Sequence, residues 1–162
     1  MSYHARKHLP IGYGCPVTTP PQLTDAQLRD YWRALESSST VVRTRIQQQL
    51  RTETGLPTGW PDVLLQLASA PEHRQPMHIA ARQTGLTSGG FTKLADRMQH
   101  AGLITRDHAT DDRRIIYLTL TQHGAQKAAD TERIQTEVLR HELAAIPSTD
   151  LLTLTKAMRT LR

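Results

Sequence analysis

The most constraining feature of the sequence is a long amphipathic stripe that begins near Thr24. Thr24 is followed three residues later by Gln27, a capping-box spacing that marks the start of a helix. Gly55 and then Pro57 supply a stop. Between Thr24 and Gly55, the residues of the stripe recur at spacings of three and four: Leu28, Trp32, Leu35, Ser39, Val42, Ile46 and Leu50. Such a helix would be roughly 40 Å long. It cannot bury its whole stripe inside a small globule, so we predict that part of it packs against a second subunit.

The composition supports this prediction. The chain has 162 residues, enough for one domain with an appendage, but only 4% are aromatic and 38% are hydrophobic. A core made of Leu, Ile, Val, Met and Ala is thin for one compact monomer. A single cysteine excludes an intramolecular disulfide scaffold and is typical of a reducing compartment. The sequence has no apolar run of about 18 residues and no signal peptide, so we expect a soluble, cytoplasmic protein that does not enter a membrane.

The charge balance is basic, with a net charge of +5 and a sequence pI near 9.8. This excess indicates a polyanionic partner. No segment is a polybasic tail, because the basic residues are dispersed among periodic apolar ones. Any basic surface must therefore be assembled by folding.

Downstream of the first helix, the periodicity predicts five further helices and one β-hairpin. The helices are expected at 60–70, 76–84, 88–100, 122–145 and from 148 onward, with a polar loop at 72–75 and strands within 103–107 and 115–121. These elements suggest three regions. They are an irregular N-terminal arm (1–22), a helical dimerisation region (23–56 and 122–162) and a winged helix-turn-helix domain (57–121).

The helix predicted at 88–100 carries the candidate functional surface. Its inner face would hold Phe91, and its outer face would expose short polar and basic side chains. A helix of this kind fits the major groove of B-DNA, and a basic hairpin loop behind it can reach the minor groove. The candidate DNA-binding residues are Thr87, Ser88, Gly89, Thr92, Lys93 and Arg97 in the helix and Asp112, Arg113 and Arg114 in the loop.

Two readings of this surface stay open. Gly89 and Gly90 either allow a close approach to DNA or sit in a first turn that needs no side chain. Lys93 and Arg97 could belong to an ordinary solvated face. The hairpin favours the DNA interpretation, because Asp112 beside two arginines can fix the direction of a guanidinium, and arginine is favoured in narrow minor grooves.

The pattern resembles the MarR (multiple antibiotic resistance regulator) family of transcription factors. The resemblance lies in the recognition-helix pattern and its exit at 88–104, the Asp-Arg-Arg run at 112–114, and Leu120-Thr121-x-x-Gly124 at the start of the fifth helix. It covers roughly residues 24–161. Gly90-Phe91 departs from the small or branched residues expected there, and we predict that Phe91 belongs to the core.

The resemblance implies a mainly α winged helix-turn-helix fold with six helices and a hairpin wing, forming an intertwined homodimer. It further implies a regulator, in the repressor role, that binds a pseudo-palindromic double-stranded operator. Arg114 would enter the minor groove, oriented by Asp112, with Arg113 near phosphate. Ser88, Thr92, Lys93 and Arg97 would face the major groove and the backbone. Many relatives of this kind release DNA when a small aromatic or phenolic effector binds, so the resemblance implies the same response here.

Other functions have less support in the sequence. Cys15 lies in the Pro/Gly-rich arm without a second cysteine, so a surface thiol is favoured over a redox-sensing regulator. The eight histidines lack ligand spacing, and we predict no metal and no cofactor. The sequence has neither a nucleophile elbow nor a phosphate loop, so we expect no enzyme activity. The strongest alternative is a winged helix that contacts protein or RNA. Trp32 and Trp60 are expected to anchor the core or a subunit interface.

Overall fold

The computed structural model describes residues 23–109, 112 and 114–160. The chain divides into two units, residues 1–38 and 39–162. The predicted N-terminal arm, with Cys15, lies outside the described residues, as do Arg113 and Leu161.

The described residues form the six α-helices that the sequence predicts, together with three short strands. The helices are α1 (Asp25–Thr54), α2 (Trp60–Ala68), α3 (Met77–Thr84), α4 (Ser88–His100), α5 (Gln122–Glu142) and α6 (Ser148–Arg159). The strands are β1 (Arg74–Pro76), β2 (Ile104–His108) and β3 (Ile116–Leu120). None of the described helices is both long enough and apolar enough to cross a membrane.

The start of α1 follows the sequence prediction. The Thr24 backbone N–H donates to Oε1 of Gln27 at 2.9 Å, and the Gln27 N–H donates to Oγ1 of Thr24 at 3.3 Å. This reciprocal pair is the predicted capping box. Side-chain burial along the stripe of α1 is uneven: Trp32 is 56% exposed, whereas Leu50 is 5% exposed. Trp32 is therefore not among the buried residues of the part of the chain that the structure describes.

The core lies among α2, α3, α4, α5 and the sheet. Val63, Leu64 and Leu67 of α2 are fully buried, and Trp60 is 8% exposed, as the helical spacing predicts. Phe91 is also fully buried, which confirms its predicted place in the core. The cluster comprises Trp60, Val63, Leu64, Leu67, Ala80, Phe91, Leu94, Ala95, Met98, Leu103, Ile104, Leu118 and Ala128.

The sheet has one strand more than the sequence predicted. Its order is β1-β3-β2 and both pairings are antiparallel, with Gln75 opposite Leu118 and Arg106 opposite Leu118 on the other side. The prediction of a polar loop over 72–75 was wrong in its second half, because residues 74 and 75 belong to β1. Three residues are too few to show a period of two, and the Arg74 guanidinium stacks on the Tyr117 ring at 4.0 Å, a contact that depends on tertiary structure.

Candidate nucleic-acid interface

The turn between α3 and α4 is set by local backbone chemistry. Gly85 ends α3 with φ of +67°, a left-handed conformation that glycine adopts without steric cost. Thr87 then caps α4, because its Oγ1 accepts a hydrogen bond from the Gly90 N–H at 3.2 Å. The predicted helix-turn-helix is thus present, and its second helix begins where the sequence places it.

Burial on α4 separates an inner face from an outer one. Phe91, Leu94, Ala95 and Met98 are buried. The remaining surface is polar: Thr87, Ser88, Gly89, Lys93 and Arg97 are exposed, and Thr92 is half-buried. Six of the predicted site residues therefore lie at one exposed helix start and along one helix face.

Two hydrogen bonds hold side chains of this outer face close to the helix. The Thr92 hydroxyl donates to the Ser88 carbonyl oxygen at 2.9 Å, and Nε of Arg97 donates to the Lys93 carbonyl oxygen at 3.3 Å. The Arg97 side chain thus runs back along the helix axis, and the terminal nitrogens of its guanidinium stay available for an external acceptor.

The two glycines at the start of α4 have different surroundings. A Cβ added at Gly89 would meet nothing within 4 Å, whereas one added at Gly90 would lie 3.1 Å from Oγ1 of Thr87. Gly90 therefore keeps space for the cap. Within the part of the chain that the structure describes, nothing requires glycine at position 89, although a glycine there weakens the helix.

The loop between β2 and β3, which forms the tip of the wing, brings Asp112 and Arg114 together. The Arg114 backbone N–H donates to Oδ1 of Asp112 at 2.9 Å, and Nε of Arg114 lies 3.4 Å from the same oxygen. The Arg114 side chain is 94% exposed. The carboxylate therefore holds one side of a guanidinium whose other nitrogens face solvent, which is the arrangement predicted from the Asp-Arg-Arg run.

Arg106 is a residue of this region that the sequence analysis missed. Its guanidinium reaches from β2 to α4, donating to Oδ1 of Asp96 at 2.5 Å and to the Thr92 carbonyl oxygen at 3.2 Å. The side chain is only 20% exposed. Arg106 thus ties β2 to α4. A basic residue ten positions after an acidic one is a weak signal by itself, because it acquires meaning only when the strand packs on the helix.

The glycine at the start of α5 has a steric cause. A Cβ on Gly124 would lie 1.9 Å from the Leu103 carbonyl oxygen, closer than any packed structure allows. The Gly124 N–H donates to Oγ1 of Thr121 at 2.9 Å, and the same hydroxyl donates to the Gly102 carbonyl oxygen at 2.6 Å. The Leu-Thr-x-x-Gly motif therefore joins α5 to the end of α4 and the start of β2.

Ion pairs connect α5 with the second half of α1. Arg45 pairs with Glu142, and Nη2 of Arg133 lies 3.5 Å from Oε2 of Glu53. The hydrogen bond from Arg45 lowers the pKa of Glu142, with a further contribution from His141. These pairs hold α5 against the second half of α1.

A cavity of about 380 Å³ lies between α1 and α2. Its apolar wall includes Val42, Ile46, Leu50, Leu56 and Leu65, and its polar lining includes Arg43, Arg51, Asp62 and Gln135. A cavity that combines an apolar wall with several polar and charged groups is compatible with a small-molecule site.

These features define the class of the protein. A capped helix-turn-helix followed by a hairpin that is tied to its second helix is a winged helix-turn-helix fold. Residues 54–115 match the sequence model of the MarR family. This match lies on the winged-helix segment and confirms the resemblance to the MarR family that the sequence predicted.

Individual relatives agree with this assignment. The chain is 33% identical over 70 residues to the HTH-type transcriptional repressor YetL of Bacillus subtilis (strain 168), an alignment that covers 43% of this chain and 42% of YetL. The chain thus spans about two fifths of that curated relative's length.

Solved structures extend the likeness over most of the chain. AbsC, a MarR family transcriptional regulator from Streptomyces coelicolor, gives a TM-score of 0.73 at 22% identity, covering 88% of this chain and 95% of AbsC. Sco3205, a MarR family transcriptional regulator from the same organism solved in complex with DNA, gives 0.72 at 21% identity, covering 90% and 91%. At these identities the likeness shows the fold.

Proposed function

We propose that this protein is a transcriptional regulator that binds a specific double-stranded DNA sequence. The observation that carries the proposal is the pairing of an exposed polar face on α4 with the solvent-facing Arg114 guanidinium, held by Asp112. A helix of this size fits the major groove, while arginine suits the narrow minor groove beside it. The DNA complex reported for Sco3205 gives a precedent within the fold.

In the proposed complex, α4 reads the major groove and the wing reaches the adjacent minor groove. Lys93 and Arg97 would contact phosphates or guanine edges, and Ser88 and Thr92 would offer short hydroxyls to base or backbone atoms. Arg114 would enter the minor groove. Because Asp112 already holds this side chain, less conformational entropy would be lost on binding.

The binding unit is proposed to be a homodimer. Large apolar side chains are exposed on α1 and near α6: Leu28, Tyr31 and Trp32 are each 50–56% exposed, and Leu152 is 70% exposed. Apolar surface of this kind is characteristic of interfaces, and a second copy of the chain offers the same surface. A two-fold dimer would read a pseudo-palindrome with half-sites about 34 Å apart.

Regulation by a small aromatic or phenolic effector, with release of a repressor from its operator, completes the proposal. The cavity between α1 and α2 supports it: the apolar wall suits an aromatic ring, and the guanidiniums of Arg43 and Arg51 suit a carboxylate or phenolate. The repressor named among the relatives, YetL, supports the direction of control.

The decisive experiment is selection of duplexes from a random library by the purified protein. An enriched palindrome with half-sites one turn apart is expected. Absence of any enrichment would favour the alternative of a winged helix for protein or RNA contact.

The selected duplex then allows a test of the wing. Arg114→Ala should weaken binding by about 1–3 kcal/mol without changing the unfolding temperature, because the side chain is exposed. Affinity of the unmodified protein should also fall steeply with salt, since phosphate contacts release counterions. Unchanged binding by Arg114→Ala would remove this residue from the interface, and a flat salt response would argue against DNA as the partner.

The effector is tested with the same duplex. Aromatic carboxylates and phenols are titrated into the complex, and release is followed by fluorescence anisotropy. An Ile46→Trp variant, which fills the cavity, should bind the duplex but lose the response to ligand. A response that survives in this variant would place the effector elsewhere.

A further inference from the structure

A second, smaller crevice opens between α3, α4 and the base of the wing. Its volume is about 200 Å³. Its floor includes the apolar side chains of Met77, Ala81 and Ile116, and its lining also includes His78, Ser88 and Arg114. Donor groups from three separate elements are thus brought to one site, although only Ser88 and Arg114 are suggested by the sequence motifs.

We propose that His78 binds a backbone phosphate of the DNA at this crevice, an inference that rests on the proposed function. The imidazole is exposed and makes no hydrogen bond within the part of the chain that the structure describes. A histidine ring can donate to a phosphate oxygen in either protonation state, and a serine hydroxyl and a guanidinium are donors as well. The lining contains no carboxylate, and Ser88 and Arg114, which are proposed to face the two grooves, add donor groups and positive charge beside the phosphate that His78 would bind.

The position of His78 within the helix-turn-helix favours a contact with a phosphate over a contact with a base edge. His78 is the second residue of α3, the first helix of the motif. In this class of fold the second helix enters the major groove while the first helix crosses the backbone. The apolar floor fits the same contact, because the deoxyribose next to a phosphate presents carbon atoms. His78 would therefore fix the register of the protein on the duplex and carry no sequence information.

The test uses the full-length protein with the selected duplex and with an unrelated duplex of equal length. His78→Ala should weaken binding to both duplexes by a similar factor, about three- to tenfold, because the lost contact is to the backbone. His78→Gln should recover part of this loss, since its amide keeps an N–H donor on a side chain of similar reach. The unfolding temperature should stay unchanged in both variants, because the ring is exposed and unbonded.

His123→Ala is the matched control. His123 is also exposed, but it lies at the start of α5 and does not line the crevice. This variant should bind like the unmodified protein.

The outcomes separate the two proposals. If the unmodified protein binds no duplex, the proposed function itself fails. If it binds and His78→Ala binds equally well, only the phosphate contact is overturned. A loss confined to the selected duplex would also overturn it, because that result would indicate a base contact.

Discussion

A methyl group added at Gly89 should raise the stability of the protein and lower its affinity for DNA. Position 89 lies in the first turn of α4, and an added Cβ meets no atom within 4 Å. Alanine also restricts the unfolded chain, so Gly89→Ala should increase the free energy of unfolding by about 0.4–1 kcal/mol. For a chain of this size that corresponds to a rise of roughly 1–4 °C in the unfolding temperature.

DNA affinity should move in the opposite direction. If the duplex approaches the backbone at Gly89, the methyl group must be accommodated at a packed interface, at a cost of about 1–3 kcal/mol. This cost equals a roughly five- to 150-fold increase in the dissociation constant. The assays are thermal unfolding of the free protein and fluorescence anisotropy with the selected duplex.

Gly90→Ala provides the contrasting variant. Its Cβ would lie 3.1 Å from the capping oxygen of Thr87, so this substitution should disturb the cap and lower the stability by about 0.5–2 kcal/mol. The reasoning about position 89 is refuted if Gly89→Ala is more stable and binds DNA as well as before. It is also refuted if Gly89→Ala is less stable than the unmodified protein, because an added Cβ would then not have the open space on which the prediction depends.

Three further predictions concern the framework of the site. Arg106→Ala should lower the free energy of unfolding, measured with urea, by about 1–2 kcal/mol. In a double-mutant cycle with Asp96→Ala, the double variant should lose less stability than the sum of the two single losses. Strict additivity would mean that the interaction between the two side chains contributes nothing. Gly124→Ala should lower the unfolding free energy by about 3 kcal/mol or more because its Cβ meets the Leu103 oxygen, and a variant as stable as the original would contradict this steric account. Glu142→Gln should be destabilising at neutral pH. Because the pKa of Glu142 is lowered from 4.5 in the folded protein, the carboxylate stabilises the fold above pH 4.5, and this stabilisation is lost as the pH falls further. The unfolding free energies of the variant and of the unmodified protein should therefore converge in acid. A constant difference down to pH 2 would contradict the pairing.

The sequence was most informative where structure is determined by neighbouring residues. The start of α1 at its capping box, the end of α3 at Gly85 and the start of α4 at Thr87 all depend on hydrogen bonds or backbone angles within a few positions. The inner face of α4 also follows from a period of 3.6 residues. These features could therefore be predicted with their positions.

The missed features depend on contacts between distant segments. Strand β1 is recognisable only from its pairing with β3, in which Gln75 lies opposite Leu118, a residue 43 positions later in the chain. Arg106 has a role only because β2 packs beside α4. The reason for a glycine at 124 is the carbonyl of Leu103, although the motif itself was visible. Local periodicity carries no signal of such contacts, because the residues involved are separated by ten or more positions.

These long-range contacts determine how an effector could act in the proposed dimer. Arg106 ties the wing to α4, the Thr121 hydroxyl ties α5 to the end of α4, and Arg45 ties α5 to α1. Helix α4 and the wing are therefore held as one block, and a ligand bound between α1 and α2 would have little freedom to reshape α4 alone. A ligand would instead act on the spacing of two such blocks across the dimer. Since half-sites about one turn apart tolerate little change in spacing, a small shift of one block would suffice to release the operator.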